Sequence, residues 1–335
     1  MHIACGNGLR CLLLLAVSFL CSCVTAPQSY VLKIDPPEGI TRVKELKHIP
    51  FFPQEDYQCG PAALATLLVD KGITTSPDEL VPKVYIPARK GSLQIEMIAT
   101  ARSFGLMPYK LEPQLLSMLR EVDHGNPVLV FQNLAFNFWP KWHFAVVAGY
   151  DLEKQELLLR SGTYREYRMS FSTFERTWQR VGHWAYILVR PGDIPVTAMP
   201  LNYTKASHQL DLSGFKNEAL TALRSGASKW PDESIVLMAL GNAEYAAGNY
   251  KQSSQAFLKE ISLDQSNANA WNNLAYSEAA RNCKSAAIKA VQCALALKPD
   301  DPNIQSSARE IESMRITEER GCPIPECMYE LKINH

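Results

Sequence analysis

Apolar residues along the chain change their rhythm twice. Between about residue 60 and residue 123 they recur in helical runs, at 60–70 behind Gly60-Pro61, at 92–104 and at 112–123. Ser92, preceded by Gly91, predicts an N-cap for the second run, because its hydroxyl can accept from an otherwise unpaired first-turn N–H. Gly105 predicts the residue just past the end of that helix. From 127 to 191 the runs shorten and fill with β-branched residues: PVLVFQN (127–133), HFAVVAGYD (143–151), ELLLRSG (156–162) and HWAYILVRP (183–191). A few residues separate the middle two, which predicts a hairpin. Helices first and antiparallel strands afterwards predict an α+β domain with helices against one face of a sheet.

The second change follows PGDIPVTAMP (191–200), a proline-rich linker. Beyond it, Pro231, Gln265 and Pro299 stand 34 apart, as do Ala219, Ser253 and Ala287, Leu240 and Leu274, and Gly214 and Gly248. A 34-residue period is the signature of tetratricopeptide repeats, stacked pairs of antiparallel helices. Trp271, Leu274, Ala275, Ala287, Ala294 and Pro299 fill the repeat's slots in one copy; the first copy shows mainly its second helix, from about 215. About three repeats is near the minimum that buries a continuous core. Such a scaffold predicts docking and says little about the ligand.

At the start, Arg10 and the short apolar run from Cys11 to about Leu20 have the layout of an export signal. Leu20-Cys21-Ser22-Cys23 resembles a bacterial lipobox, with Cys23 in the lipidated position; Val24 rather than Asp favours, by that resemblance, the outer membrane. The organisation expected is a signal peptide (1–22), a tether (23–45), a catalytic-type domain (46–191), a linker (192–204), about three repeats (205–315) and a cysteine-containing tail (316–335). Apolar content is 47%, and 34 basic residues balance 34 acidic ones, with no basic block, so nucleic acid is not an expected partner. Of nine cysteines, Cys5, Cys11 and Cys21 fall in the signal. Cys283, Cys293, Cys322 and Cys327 are candidates for two disulfides of unassigned pairing in an oxidising compartment. That leaves Cys59 as the odd thiol.

Cys59 opens a helix, where free backbone N–H groups and the positive end of the dipole favour thiolate. Pro61 suits the first turn, since its missing N–H would be unpaired there anyway. A nucleophilic cysteine needs a base, and His143 opens the most apolar strand, 84 positions after Cys59. Cysteine on a helix and histidine on a strand is the papain-like arrangement.

PQEDYQCGPAALATLL followed at that distance by HFAVVAGYD resembles the bacteriocin-processing cysteine peptidases, papain-like domains that cut leader peptides after Gly-Gly. The resemblance covers roughly 46–191. It implies Cys59 as nucleophile, His143 as base, and Gln54 as oxyanion-hole donor, with Gln58 a weaker stand-in. It also implies an orienting acid at the end of the next strand, where this chain carries Ser161. Asp151 ends the histidine's own strand, about 26 Å away at ~3.3 Å per residue, as a turn residue would.

Trp139 and Trp142 are candidates for lining a substrate groove or for packing the rim of a loop. No cofactor or metal is expected. The function expected is a lipid-anchored exported cysteine peptidase at the periplasmic face of the outer membrane, acting on a polypeptide and docking a protein partner through its repeats. The alternatives are a peptide-binding lipoprotein with a degenerate peptidase module, or a papain-like amidase or acyl transferase.

Overall fold

The computed structural model describes residues 25–53, 58–89, 91–315, 322 and 325–328; the expected signal peptide, Cys23 and Gln54 lie outside them. The chain forms two compact units. One comprises the residues up to Gln94 together with Leu111–Ile187, the other Ile95–Lys110 together with the residues from Leu188 onward.

The first unit opens with helix α1 (Pro27–Ile34) and strand β1 (Val43–Glu45), followed by α2 (Cys59–Asp70), α3 (Pro77–Val84), β2 (Tyr85–Ile86) and β3 (Gly91–Ser92). Helix α4 (Gln94–Ser103) and strand β4 (Met107–Lys110) belong, from residue 95 on, to the second unit; the first unit resumes with α5 (Leu115–Asp123), β5 (Val128–Asn133), β6 (Trp142–Asp151), β7 (Glu156–Ser161), β8 (Tyr164–Ser170), α6 (Phe171–Gln179) and β9 (Ala185–Val189).

Strands β9–β5–β6–β7–β8 pair antiparallel in that order. Strand β6 is the hub. β5 pairs with its first half, β1 pairs with Gly149–Asp151 farther along the same edge, and β7 takes the other edge. Its run from Phe144 to Asp151 is buried throughout, as expected of a strand covered on both faces. Gly149 is required there: a Cβ would meet the Lys44 carbonyl oxygen of β1 at 2.5 Å. Helix α2 is buried from Gly60 to Leu68 and packs on β6.

From Pro27 on, the tether expected over 23–45 is instead built into this unit. Residues 27–34 are helical, and Thr41 hydrogen-bonds to the carboxylate of Asp123. Ser92 belongs to the short strand β3 and does not cap a helix, whereas Gly105 takes the left-handed conformation at φ +73°.

The second unit contains α7 (Pro200–Leu212), α8 (Lys216–Lys229), α9 (Ser234–Ala246), α10 (Tyr250–Leu263), α11 (Ala268–Ala280), α12 (Lys284–Leu297) and α13 (Pro302–Ser313). First helices begin at 200, 234, 268 and 302, and second helices at 216, 250 and 284, so the period is 34 throughout. The first repeat is therefore complete, and its first helix starts at Pro200, inside the stretch expected to be linker. Trp271, Leu274 and Phe257 are fully buried in the helical core. Residues 95–110 pack on the first repeat: Ser207 donates to Met107 Sδ at 3.5 Å, and the Met199 N–H donates to Tyr109 Oη at 3.0 Å. Disulfides Cys283–Cys322 and Cys293–Cys327 tie the C-terminal segment to α12 and the residue before it.

Candidate active site

The site is assembled from one helix start and two strand ends, all in the first unit. Gln58 is the N-cap residue of α2, and no side chain caps the helix. Its carbonyl accepts the first intrahelical bond from the Ala62 N–H at 3.2 Å. Cys59 is thus the first helical residue. Its sulfur lies near backbone groups of Phe144, Gly60 and Cys59 itself, which favour its charged form. Phe144 directly follows His143 on β6, so the sulfur lies near the start of the histidine's strand.

His143 pairs across the ladder with Gln132, which is fully buried. Its Nε2 lies 2.7 Å from Ser161 Oγ at the end of β7. The β7–β8 register shifts between Leu159 and Ser161, the kind of irregularity that re-aims a strand-end side chain. Ser161 occupies the position beside the imidazole. Asp151 does not: its carboxylate accepts the Glu153 and Lys154 N–H groups at 3.0 and 2.9 Å and closes the β6–β7 turn.

Electrostatics differ from the sequence expectation of a thiolate. Burial pushes the Cys59 thiol above its ordinary value, and the nearby backbone groups oppose this without overcoming it. Burial, with Lys141 assisting, lowers the His143 imidazole to about 4. A serine hydroxyl carries no charge to support an imidazolium. The resting pair near neutrality is therefore a thiol and a neutral imidazole, because desolvation penalises both charged forms. Among the described residues Cys59 is the free cysteine.

The loop leading into His143 is held rigidly. Asn133 Oδ1 accepts from the Ala135 and Lys141 N–H groups at 3.1 and 3.0 Å, and Arg180 donates to the Asn133 carbonyl at 3.1 Å. Sequence reasoning missed both residues; an asparagine at a strand end was the available signal. Trp139 is exposed, and Trp142 is half-exposed and stacked on Phe131. His183 stands before β9 at φ +56° with its ring edge on Trp178. No group of three or more metal-ligating side chains occurs among the described residues.

Residues 46–186 match the family model described as the Peptidase_C39 like family, and this segment has a C39-like, papain-like fold. Solved structures that resemble the chain include a protein of Bacillus anthracis described as a C39-like peptidase, with 16% identity, TM-score 0.37, and coverage of 45% of this chain and 98% of that one. A double glycine motif protease from an AMS/PCAT transporter, in complex with the leader peptide, has 21% identity, TM-score 0.34, and coverage of 45% and 94%. The first tetratricopeptide domain of Spaghetti (RPAP3), bound to an HSP90 peptide, has 16% identity, TM-score 0.32, and coverage of 34% and 90%. No curated protein matches the chain.

Proposed function

We propose that the chain is a lipid-anchored exported cysteine peptidase of the periplasmic face of the outer membrane, using Cys59 as nucleophile and His143 as base. The observation that carries the reading is the junction of the α2 start with the His143 strand, with Nε2 fixed by Ser161. With Nε2–H donated to Ser161 Oγ, Nδ1 carries the lone pair. As the sulfur attacks a scissile carbonyl carbon, Nδ1 takes the thiol proton. The carbonyl electrons move onto oxygen, where the Cys59 N–H and, by the family resemblance, the Gln54 amide hold them. Collapse breaks the C–N bond, and His143 returns the proton to the leaving amine. A water deprotonated by the same imidazole then hydrolyses the thioester.

The lipobox-like Cys23 supports anchoring, and the 34-residue repeats support docking of the substrate or a partner protein. A second reading, a peptide-binding lipoprotein, is favoured by one observation: the uncharged Ser161 where the family resemblance implies an acid. Mass spectrometry of extended polypeptides incubated with the chain separates the two. The peptidase reading expects cleavage that Cys59→Ala and His143→Ala each abolish. Saturable binding without cleavage in the wild type would establish the second. Products formed only with added amine would indicate acyl transfer.

A further inference from the structure

Helix α1 has two unlike faces. Ser29 and Leu32 are buried against the first unit. Glu175, buried on α6, accepts the Gln28 and Ser29 N–H groups at 2.9 and 2.7 Å and the Ser29 hydroxyl at 2.5 Å. It thereby supplies the N-terminal cap that Ala26 lacks. Gln28 is fixed in turn, accepting the Leu115 N–H at 2.5 Å and donating to the Pro113 carbonyl at 3.1 Å. These bonds lock the rotation of the helix.

What is locked outward is apolar. Tyr30, Val31 and Ile34 are 64%, 52% and 62% exposed, and Pro27 is exposed beside them. Positions 27, 30, 31 and 34 follow the i, i+3, i+4, i+7 rule and span an arc of about 100°. Exposed Lys33 flanks the arc. An ordinary surface helix turns such a stripe inward; this one turns its serine inward and its tyrosine, valine and isoleucine out.

The sequence says what covers it. Pro27 stands four residues after Cys23, and four residues span at most about 14 Å. A lipid on Cys23 would therefore keep the start of this stripe within about 14 Å of the bilayer surface. Tyrosine and lysine belong at that boundary, where an apolar body meets a polar end. With eight residues, α1 lies on a bilayer and does not cross one.

We propose that the Pro27, Tyr30, Val31, Ile34 face of α1 is a bilayer contact which, with the Cys23 lipid, seats the first unit on the membrane in one orientation. The inference rests on the lipidation part of the proposed function and is independent of peptidase activity. The test uses the full lipidated chain in phosphatidylethanolamine–phosphatidylglycerol vesicles, with Cys59→Ala to leave no competing thiol. Ile34→Cys, and Lys83→Cys on α3 as control, are labelled with bimane, and nitroxide-labelled lipids are added. Quenching at 34 at least threefold above that at 83, retained on dilution of protein in lipid, is expected. In the triple variant Tyr30→Ser, Val31→Ser, Lys33→Ser, quenching at 34 is expected to fall towards the control. Equal quenching at the two positions overturns the proposal, as does a change at 34 that vanishes on dilution and so reports a second copy. Absence of lipid on Cys23 by mass spectrometry also overturns it. Cleavage assays on the wild-type chain stand or fall separately.

Discussion

At His143 the ring is held on one side by a hydroxyl and surrounded by apolar strand, so both its orientation and its basicity are set by neighbours. Ser161 Oγ lies 2.7 Å from Nε2, so Ser161→Asp puts a carboxylate beside the same nitrogen. An opposite charge at that range raises an imidazole by about 1–3 pH units. Ser161→Asp is therefore expected to move the acid limb of Cys59 alkylation up from near pH 4 towards neutrality, in a rate–pH profile. An unmoved limb would place the base elsewhere. The lowered His143 also has a stability consequence. The unfolded ring, at about 6.5, binds a proton that the folded ring refuses until about 4. Stability from this group is thus present above pH 6.5 and is lost as pH falls towards 4, by about 3 kcal/mol. Urea titrations at pH 7 and pH 4.5 should show a steeper loss in the wild type than in His143→Gln. The residue types and spacing of Cys59, His143 and Ser161 nominated the candidate site, and the His143–Ser161 contact is present, but their charge state was not legible. Helix-start chemistry argued for thiolate, and the burial that reverses it comes from tertiary packing.

Among the elements, those with a clean period were readable and those without were not. Helix α2, strands β5–β7 and the repeats follow their apolar pattern. Helix α3 carries Pro82 inside it, and β8 is exposed at five consecutive positions, so neither shows a period. Helix α6 carries a start signal at Ser170, which accepts the Thr173 N–H at 3.3 Å, ahead of buried Phe171, Phe174 and Trp178. In the repeats the 34-residue interval fixes where helices cross closely. Gly241 sits at such a crossing, where a Cβ would come within 2.5 Å of the Phe257 ring. Phe257 is fully buried, so the ring has little room to yield. Gly241→Ala is expected to destabilise the second unit by about 1–3 kcal/mol through overpacking, seen as a lowered urea midpoint with unchanged slope. A neutral result would mean the helices separate freely.

For the whole molecule, the two-part division was visible in the change of period near 191–200, while the assignment of 95–110 to the second unit was not. That assignment depends on side chains such as Met107 and Tyr109 finding partners about 90–100 residues away, which no local pattern records. The two disulfides belong to the second unit alone. Removing Cys283–Cys322, which closes a 39-residue separation, with paired serines is expected to cost about 3–4 kcal/mol. Calorimetry of the variant should show the loss, and the alkylation rate of Cys59 should be unchanged. A parallel fall in that rate would mean the chemistry depends on the repeats.

The central claim is that folding delivers the Cys59 sulfur to the His143 imidazole as a nucleophile–base pair. The direct measurement is the iodoacetamide alkylation rate of Cys59 at pH 7, by peptide mass mapping, in the wild type and in His143→Ala. A base in contact contributes about 10²–10⁴-fold in catalysis, and a fall of at least tenfold in alkylation is predicted. Equal rates in two folded proteins would contradict the account.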